Sequence, residues 1–258
     1  MSEEALAGGG VNAVSRVGDT VRRPTGRHTP AVHALLRHLE AAGFKGAPRV
    51  HGFDERGREI LDHLDGRVAH PPLPGWASGD EALVAAGRLI RAFHDASVGL
   101  SGEHPWMFPA REPAEVICHG DLAPYNCVYR EAIPAGLIDF DTAHPGPRVW
   151  DLAYAAYRFT PLTDPFGPEG GFDILRQTRR LGLFADAYGL DEASRGVLVE
   201  TAALRLEALV EHMRARAAAG DAAFAGHIAE GHDAFYLADI AYLRANAGAL
   251  SQGLGLGQ

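Results

Sequence analysis

One stretch constrains the whole chain. It runs Ile117-Cys118-His119-Gly120-Asp121-Leu122-Ala123-Pro124-Tyr125-Asn126 and is followed by Leu137-Ile138-Asp139-Phe140-Asp141. Asn126 stands five residues after Asp121, and Asp139 thirteen after Asn126. Apolar, strand-like segments flank them: Val116-Ile117-Cys118, Cys127-Val128-Tyr129 and Leu137-Ile138. A chain arranged this way can hold one general base and two oxygen ligands for Mg2+ around the terminal phosphate of a nucleotide. Asp121 is the candidate base, placed to accept or orient the proton of an attacking hydroxyl. Asn126 offers Mg2+ a neutral carbonyl oxygen and Asp139 an anionic one. A His-Gly-Asp triplet alone serves equally well as a turn capped by its Asp. The three polar residues at these offsets, set between apolar segments, are what point to chemistry. His119 reads as a loop-holding residue and not the base, Pro124 as a stiffener of the turn, and Asp141 either as a member of the metal shell or, the favoured reading, as a cap for the loop that follows.

The rest of the composition narrows the class. With 258 residues there is room for one large domain or two lobes with separate cores. A net charge of −9 and the lack of any long Lys or Arg block argue against nucleic acid as a partner. No apolar run approaches the roughly 20 residues that span a membrane. The start, Met1-Ser2-Glu3-Glu4, has no secretory pattern, so a cytoplasmic protein is expected. The two cysteines, Cys118 and Cys127, both sit in the central motif and read as buried, inert thiols, too few for a structural zinc set.

Ahead of the motif, Gly8-Gly9-Gly10 leads into an alternating stretch from Val11 to Val17, with a turn at Gly18-Asp19 before Thr20-Val21-Arg22-Arg23. The glycines fit either a loop closing over phosphates or a flexible lead-in. Val32, Leu35, Leu36 and Leu39 have helical spacing, with Thr29 as N-cap, Pro30 in the first turn and Gly43 at the end. Strands are expected over 48–53 and 58–64, and a Pro- and Gly-rich linker over 66–79. Asp80 to Ala96 reads as an amphipathic helix with His94 packed on or beside its apolar face. After Trp150-Asp151-Leu152-Ala153 the chain reads as helical over roughly 170–189, 191–218 and 221–249, with a frayed tail from Gly253.

The motif resembles the protein-kinase signature, with the same Asp-to-Asn offset. With Gly120 in place of arginine, it is closest in wording to the aminoglycoside phosphotransferase and choline kinase-like family (the phosphotransferase enzyme family). Within it, the chain is similar to a branch some of whose relatives bear the label trifolitoxin immunity protein. The resemblance runs from about Gly8 to Tyr157 and more loosely beyond. It implies an α+β, two-lobed, protein-kinase-like fold: a small, shortened N-terminal sheet lobe with one helix, residues 1–64, and a larger, mostly helical lobe, residues 65–258. MgATP or MgGTP would lie between them, with Asp62-His63-Leu64 as the hinge that pairs with the base; taken alone, those residues also fit an ordinary hairpin. The resemblance also implies that Asp151 braces the catalytic loop.

Two departures stand out. Where the family carries a phosphate-contacting lysine, this chain has Arg22 and Arg23. Where the helix should carry its glutamate partner, it has His33, with Glu40 only near the far end. The segment before Gly8 is also short for a first strand.

Two functions are therefore expected of such a chain. The first is an ATP- or GTP-dependent phosphotransferase acting on an alcohol group of an antibiotic or similar small molecule. The second is a catalytically weak immunity or resistance protein that sequesters a toxin or antibiotic. Glu200, Glu207, Glu211, Glu230 and Asp233 fit either a face for a cationic substrate or solvated helix faces. Oligomeric state is not legible in the sequence.

Overall fold

The computed structural model describes residues 3–6 and 14–256. The glycine run at Gly8-Gly9-Gly10, and the strand expected from Val11, begin outside the described residues.

The N-terminal part is a five-stranded antiparallel sheet. Its strands are β1 (Glu3–Leu6), β2 (Val14–Val17), β3 (Thr20–Arg23), β4 (Val50–Phe53) and β5 (Glu59–Asp62), ordered β1-β2-β3-β5-β4. The short lead-in does form a strand: all four residues of β1 pair with β2. Between β3 and β5 the register sets Arg22 opposite Ile60 and Arg23 opposite Glu59. Opposed residues in an antiparallel pair share a face, and successive residues alternate faces.

Helix α1 (Thr29–Ala41) turns Leu35, Leu36 and Leu39 inward, as their spacing requires. Thr29 is its first helical residue and not its cap. The Thr29 hydroxyl instead accepts from Gly26 N–H at 2.9 Å and closes the preceding turn, while His28 O accepts the first helical bonds from Ala31 and Val32. Helix α2 (Asp80–Ser97) packs against α1 and buries Leu83, Ala86, Ile90 and Phe93.

The motif is carried by two small antiparallel ladders. β6 (Val116–Cys118) pairs with β9 (His144–Gly146), and β7 (Cys127–Arg130) with β8 (Ile133–Leu137). Beneath them Phe93, Phe140 and the His119 ring form one aromatic cluster, with centroids 4.6–6.3 Å apart. Helix α3 (Arg148–Phe159) is buried almost throughout, and α4 (Ile174–Tyr188) and α5 (Glu192–Ala218) follow. The last expected helix is three: α6 (Ala222–Ala229), α7 (His232–Ala245) and α8 (Ala247–Gly253). The break before α7 comes at Gly231, whose φ of 83° lies in the left-handed region that glycine adopts at little cost. The tail is not frayed at Gly253, because Leu254 is buried in the core. Among the described residues no helix is long and apolar enough to cross a membrane.

Candidate active site

The two motif segments meet through one backbone bond: Ile138 N–H donates to Asn126 O at 3.0 Å. That bond ties the turn of Asp121 and Asn126 to the strand end carrying Asp139. Asn126 Nδ2 donates to Asp121 Oδ2 at 2.8 Å and to Asp121 O at 3.0 Å. With its nitrogen committed to Asp121, the amide oxygen of Asn126 is the end left for a cation. Asp139 follows β8 with φ at 65°, a left-handed conformation that Asp tolerates better than most residues.

Gly120 also has positive φ, 84°, and a Cβ there would collide with the backbone oxygen of Thr142. This close approach is the physical reason for the glycine in His-Gly-Asp. His119 Nε2 donates to Ile138 O at 2.9 Å and its Nδ1 accepts from Asp121 N–H at 3.3 Å. Both ring nitrogens are spent on the loop. Asp151 braces the same turn from α3, accepting from His119 N–H at 2.7 Å and Gly120 N–H at 2.9 Å. His94 completes the brace: its Nε2 lies 3.0 Å from Asp151 Oδ2 and its Nδ1 2.9 Å from the Tyr188 hydroxyl. Burial works to raise the pKa of Asp151, but the hydrogen bonds and charge of His94 and His119 outweigh it and hold the carboxyl below its ordinary range.

Asp121 is shifted the other way. Burial pushes its carboxyl up, Asp139 adds to the rise, and the Tyr125 hydrogen bond and His119 offset part of it. A raised pKa makes a carboxylate a better proton acceptor. The Tyr125 hydroxyl donates to Asp121 Oδ1 at 2.8 Å and lies 2.9 Å from the Tyr154 hydroxyl.

The two candidate arginines part company. Arg22 donates to Thr20 Oγ1 at 2.6 Å and to Val21 O at 3.1 Å, on the face of β3 away from the motif. Arg23 crosses from the sheet to the motif. It lies 3.1 Å from Asp139 Oδ1 and forms a short ion pair with Asp141, while its Nε is 2.7 Å from Glu59 Oε1. Burial works to lower the guanidinium pKa, and the carboxylates of Asp141, Asp139 and Glu59 more than offset it. The Asp141 side chain reaches Arg23 and, at 3.4 Å, His28.

The hinge segment stands apart from this group. The Asp62 carboxylate accepts from Arg49 N–H at 3.1 Å and lies 2.6 Å from His51 Nε2. His63 N–H is committed to Asp19 O at 2.9 Å, and Leu64 lies over Gly136 of β8.

The donor set fits a magnesium ion. Asn126 and Asp139 supply only oxygens, and the Asp139 side chain is half exposed. Arg23 faces three carboxylates, an excess of negative charge that a cation would balance. Among the described residues no cluster of three or more His, Cys, Asp or Glu is built to hold a metal. Few protein ligands suit Mg2+, which keeps waters and is bound largely through substrate phosphates.

Sequence reasoning missed several participants. Arg205 of α5 donates to Gly120 O at 2.5 Å and lies over the Trp150 and Tyr154 rings. Glu59 and Tyr154 also carry no motif of their own, and Tyr125 stands inside the motif without having been given a role. The acidic residues considered for a cationic substrate are largely engaged elsewhere. Glu200 and Glu207 both pair with Arg244 at 2.7 Å, Asp233 with Arg214 at 2.7 Å, and Glu230 lies 3.4 Å from His232.

Comparison with known proteins gives matches of sequence and of shape. Residues 105–184 match the profile of the phosphotransferase enzyme family. Trifolitoxin immunity protein of Rhizobium leguminosarum bv. trifolii is 36% identical over 208 residues, covering 77% of this chain and 78% of that protein. A choline/ethanolamine kinase family protein from Mesorhizobium loti superposes with a TM-score of 0.65 at 17% identity, covering 100% of this chain and 93% of that one. The GDP complex of aminoglycoside 2'-phosphotransferase-IIIa gives 0.61 at 16% identity, with 96% and 93% covered. Amicoumacin kinase hAmiN in complex with AMP-PNP, Ca2+ and Ami gives 0.64 at 13% identity, with 89% and 88% covered. These structures share the two-lobed, kinase-like α+β fold described above.

Proposed function

The chain belongs to the phosphotransferase enzyme family, in the branch that includes trifolitoxin immunity protein, and we propose that it is a small-molecule kinase. The reaction is transfer of the γ-phosphate of a magnesium nucleotide, ATP or GTP, to a hydroxyl of an antibiotic or similar hydroxylated compound in the cytoplasm. The observation that carries this reading is the convergence of Asp121, Asn126 and Asp139 around one backbone bond, with Arg23 reaching them from the sheet.

Asp121 takes the proton of the acceptor hydroxyl as that oxygen bonds to the γ-phosphorus. The bond from phosphorus to the β,γ-bridging oxygen breaks, and the nucleoside diphosphate leaves. Asn126 holds the Asp121 carboxylate in orientation through its Nδ2. Arg23 grips a phosphate of the donor, bidentately where a lysine would act as a point charge. Asn126 and Asp139 would hold Mg2+, which when bound neutralises phosphate charge. The Asp62-His63-Leu64 segment is the proposed base-pairing hinge.

Calorimetry with MgATP and MgGTP tests the proposal. Micromolar, Mg2+-dependent binding is expected in the wild type and is lost in Asp139→Ala. Asp121→Asn keeps binding and loses turnover, by about 10²–10⁴-fold if the proton transfer is as argued. A second reading, a weak kinase-like protein that sequesters a toxin or antibiotic, draws support from Arg23 lying on Asp139 and from the immunity relative. Absence of nucleotide binding up to millimolar concentration, with or without acceptor, would favour it over the kinase.

A further inference from the structure

A cation that grips phosphate must be held from behind, or it collapses onto the nearest carboxylate. The family resemblance puts that anchor on α1 as a glutamate, yet α1 has His33 at the expected depth. In the structure a carboxylate reaches Arg23 from a different element. Glu59 opens β5 directly opposite Arg23, on the same face of the sheet, and its Oε1 lies 2.7 Å from Arg23 Nε. Its other oxygen, Oε2, is 2.8 Å from His33 Nε2 on α1. All three side chains are buried, Glu59 at 1% and His33 at 2% exposed.

We infer that Glu59 positions Arg23 for the phosphates of the nucleotide, and that His33 links this pair to α1. The inference rests on the kinase reading above. Its physical basis is the division of one guanidinium between two edges. Glu59 pairs by charge with the Nε side, at 2.7 Å but without a hydrogen bond from Nε, whereas the Nη side faces Asp139 and Asp141. Phosphate oxygens, arriving with a cation on Asp139, draw the Nη side off Asp139 without Arg23 having to leave Glu59. With Glu59 gone, both remaining carboxylates pull Arg23 the same way, toward Asp139, the residue the cation must reach. Glu59 therefore acts through Arg23 and does not touch the reacting atoms.

Fluorescence or calorimetric binding of two probes, MgAMP-PNP and adenosine, tests this on the full chain. A glutamine at 59 keeps size and removes charge. Glu59→Gln should weaken MgAMP-PNP by tenfold or more and leave adenosine within twofold, since adenosine has no phosphate for Arg23 to grip. Arg23→Gln should do the same, and the Arg23→Gln/Glu59→Gln double variant should be no weaker than Arg23→Gln alone. Equal losses for both probes, or independent losses that multiply in the double variant, overturn the inference. Should Glu59→Gln fail to fold, His33→Leu carries the test: a several-fold loss for MgAMP-PNP alone is expected, and an unchanged ratio of the two affinities refutes the link. A wild type that binds adenosine and MgAMP-PNP equally removes the role of Arg23 and with it this inference. A wild type that binds neither removes the kinase reading itself.

Discussion

Asp151 gives the sharpest test of how the candidate site is built. Its carboxylate is 1% exposed and receives the backbone N–H of His119 and of Gly120, with His94 Nε2 at 3.0 Å. Asp151→Ala removes the acceptor for all three. A buried donor left without a partner costs about 1–3 kcal/mol. Three such groups, partly relaxed, give an expected loss of about 3–6 kcal/mol, a large share of the roughly 5–15 kcal/mol that stabilises a typical domain. Asp151→Asn retains one acceptor oxygen but presents N–H to a neighbour that also donates, for a loss of about 2–3 kcal/mol. Urea unfolding followed by circular dichroism, with the slope held common to all variants, measures both. An Asp151→Ala loss below about 1 kcal/mol would falsify the claim that these three bonds hold the turn.

The same residue predicts acid behaviour. Its pKa is held below the ordinary 3.8, so its contribution is complete above that value and is lost as pH falls through the folded-state pKa. The stability gap between wild type and Asp151→Asn should be flat from about pH 7 to 5 and close below about pH 4; a gap that widens with acid contradicts the assignment. Gly120→Ala forces a side chain into the left-handed region and against Thr142 O, for an expected loss of about 2–5 kcal/mol, read as a fall in thermal midpoint. An unchanged midpoint would show that the turn has slack that its geometry denies.

Some of this was legible because it is local. Asp121, Asn126 and Asp139 are separated by a turn and a hairpin, and the apolar segments between them force strands that return the chain to the same place. His119 was readable as a loop holder from its place in the turn, and His94 as a packed residue from its place beside the apolar face of α2, whereas the partners of the His94 ring, Asp151 and Tyr188, come from distant parts of the chain. Helices α1 and α2 follow from spacing alone, because their apolar stripes match the 3.6-residue period.

Other features depend on long-range packing. Which of Arg22 and Arg23 faces the motif is set by the register of β3 on β5, and a slip of one residue would exchange them. Glu59 has no motif around it and reaches the site only because the sheet lays β5 beside β3 and α1 brings His33 against it. Arg205 comes to Gly120 O from across the helical part, a contact between residues 85 apart in sequence. Sequence by itself determined which polar groups are brought together, the side chains of Asp121, Asn126 and Asp139, because covalent spacing holds those residues together. Tertiary structure alone decided which cation meets them and which carboxylate holds that cation, because those choices depend on strand register and on charges buried together from distant parts of the chain.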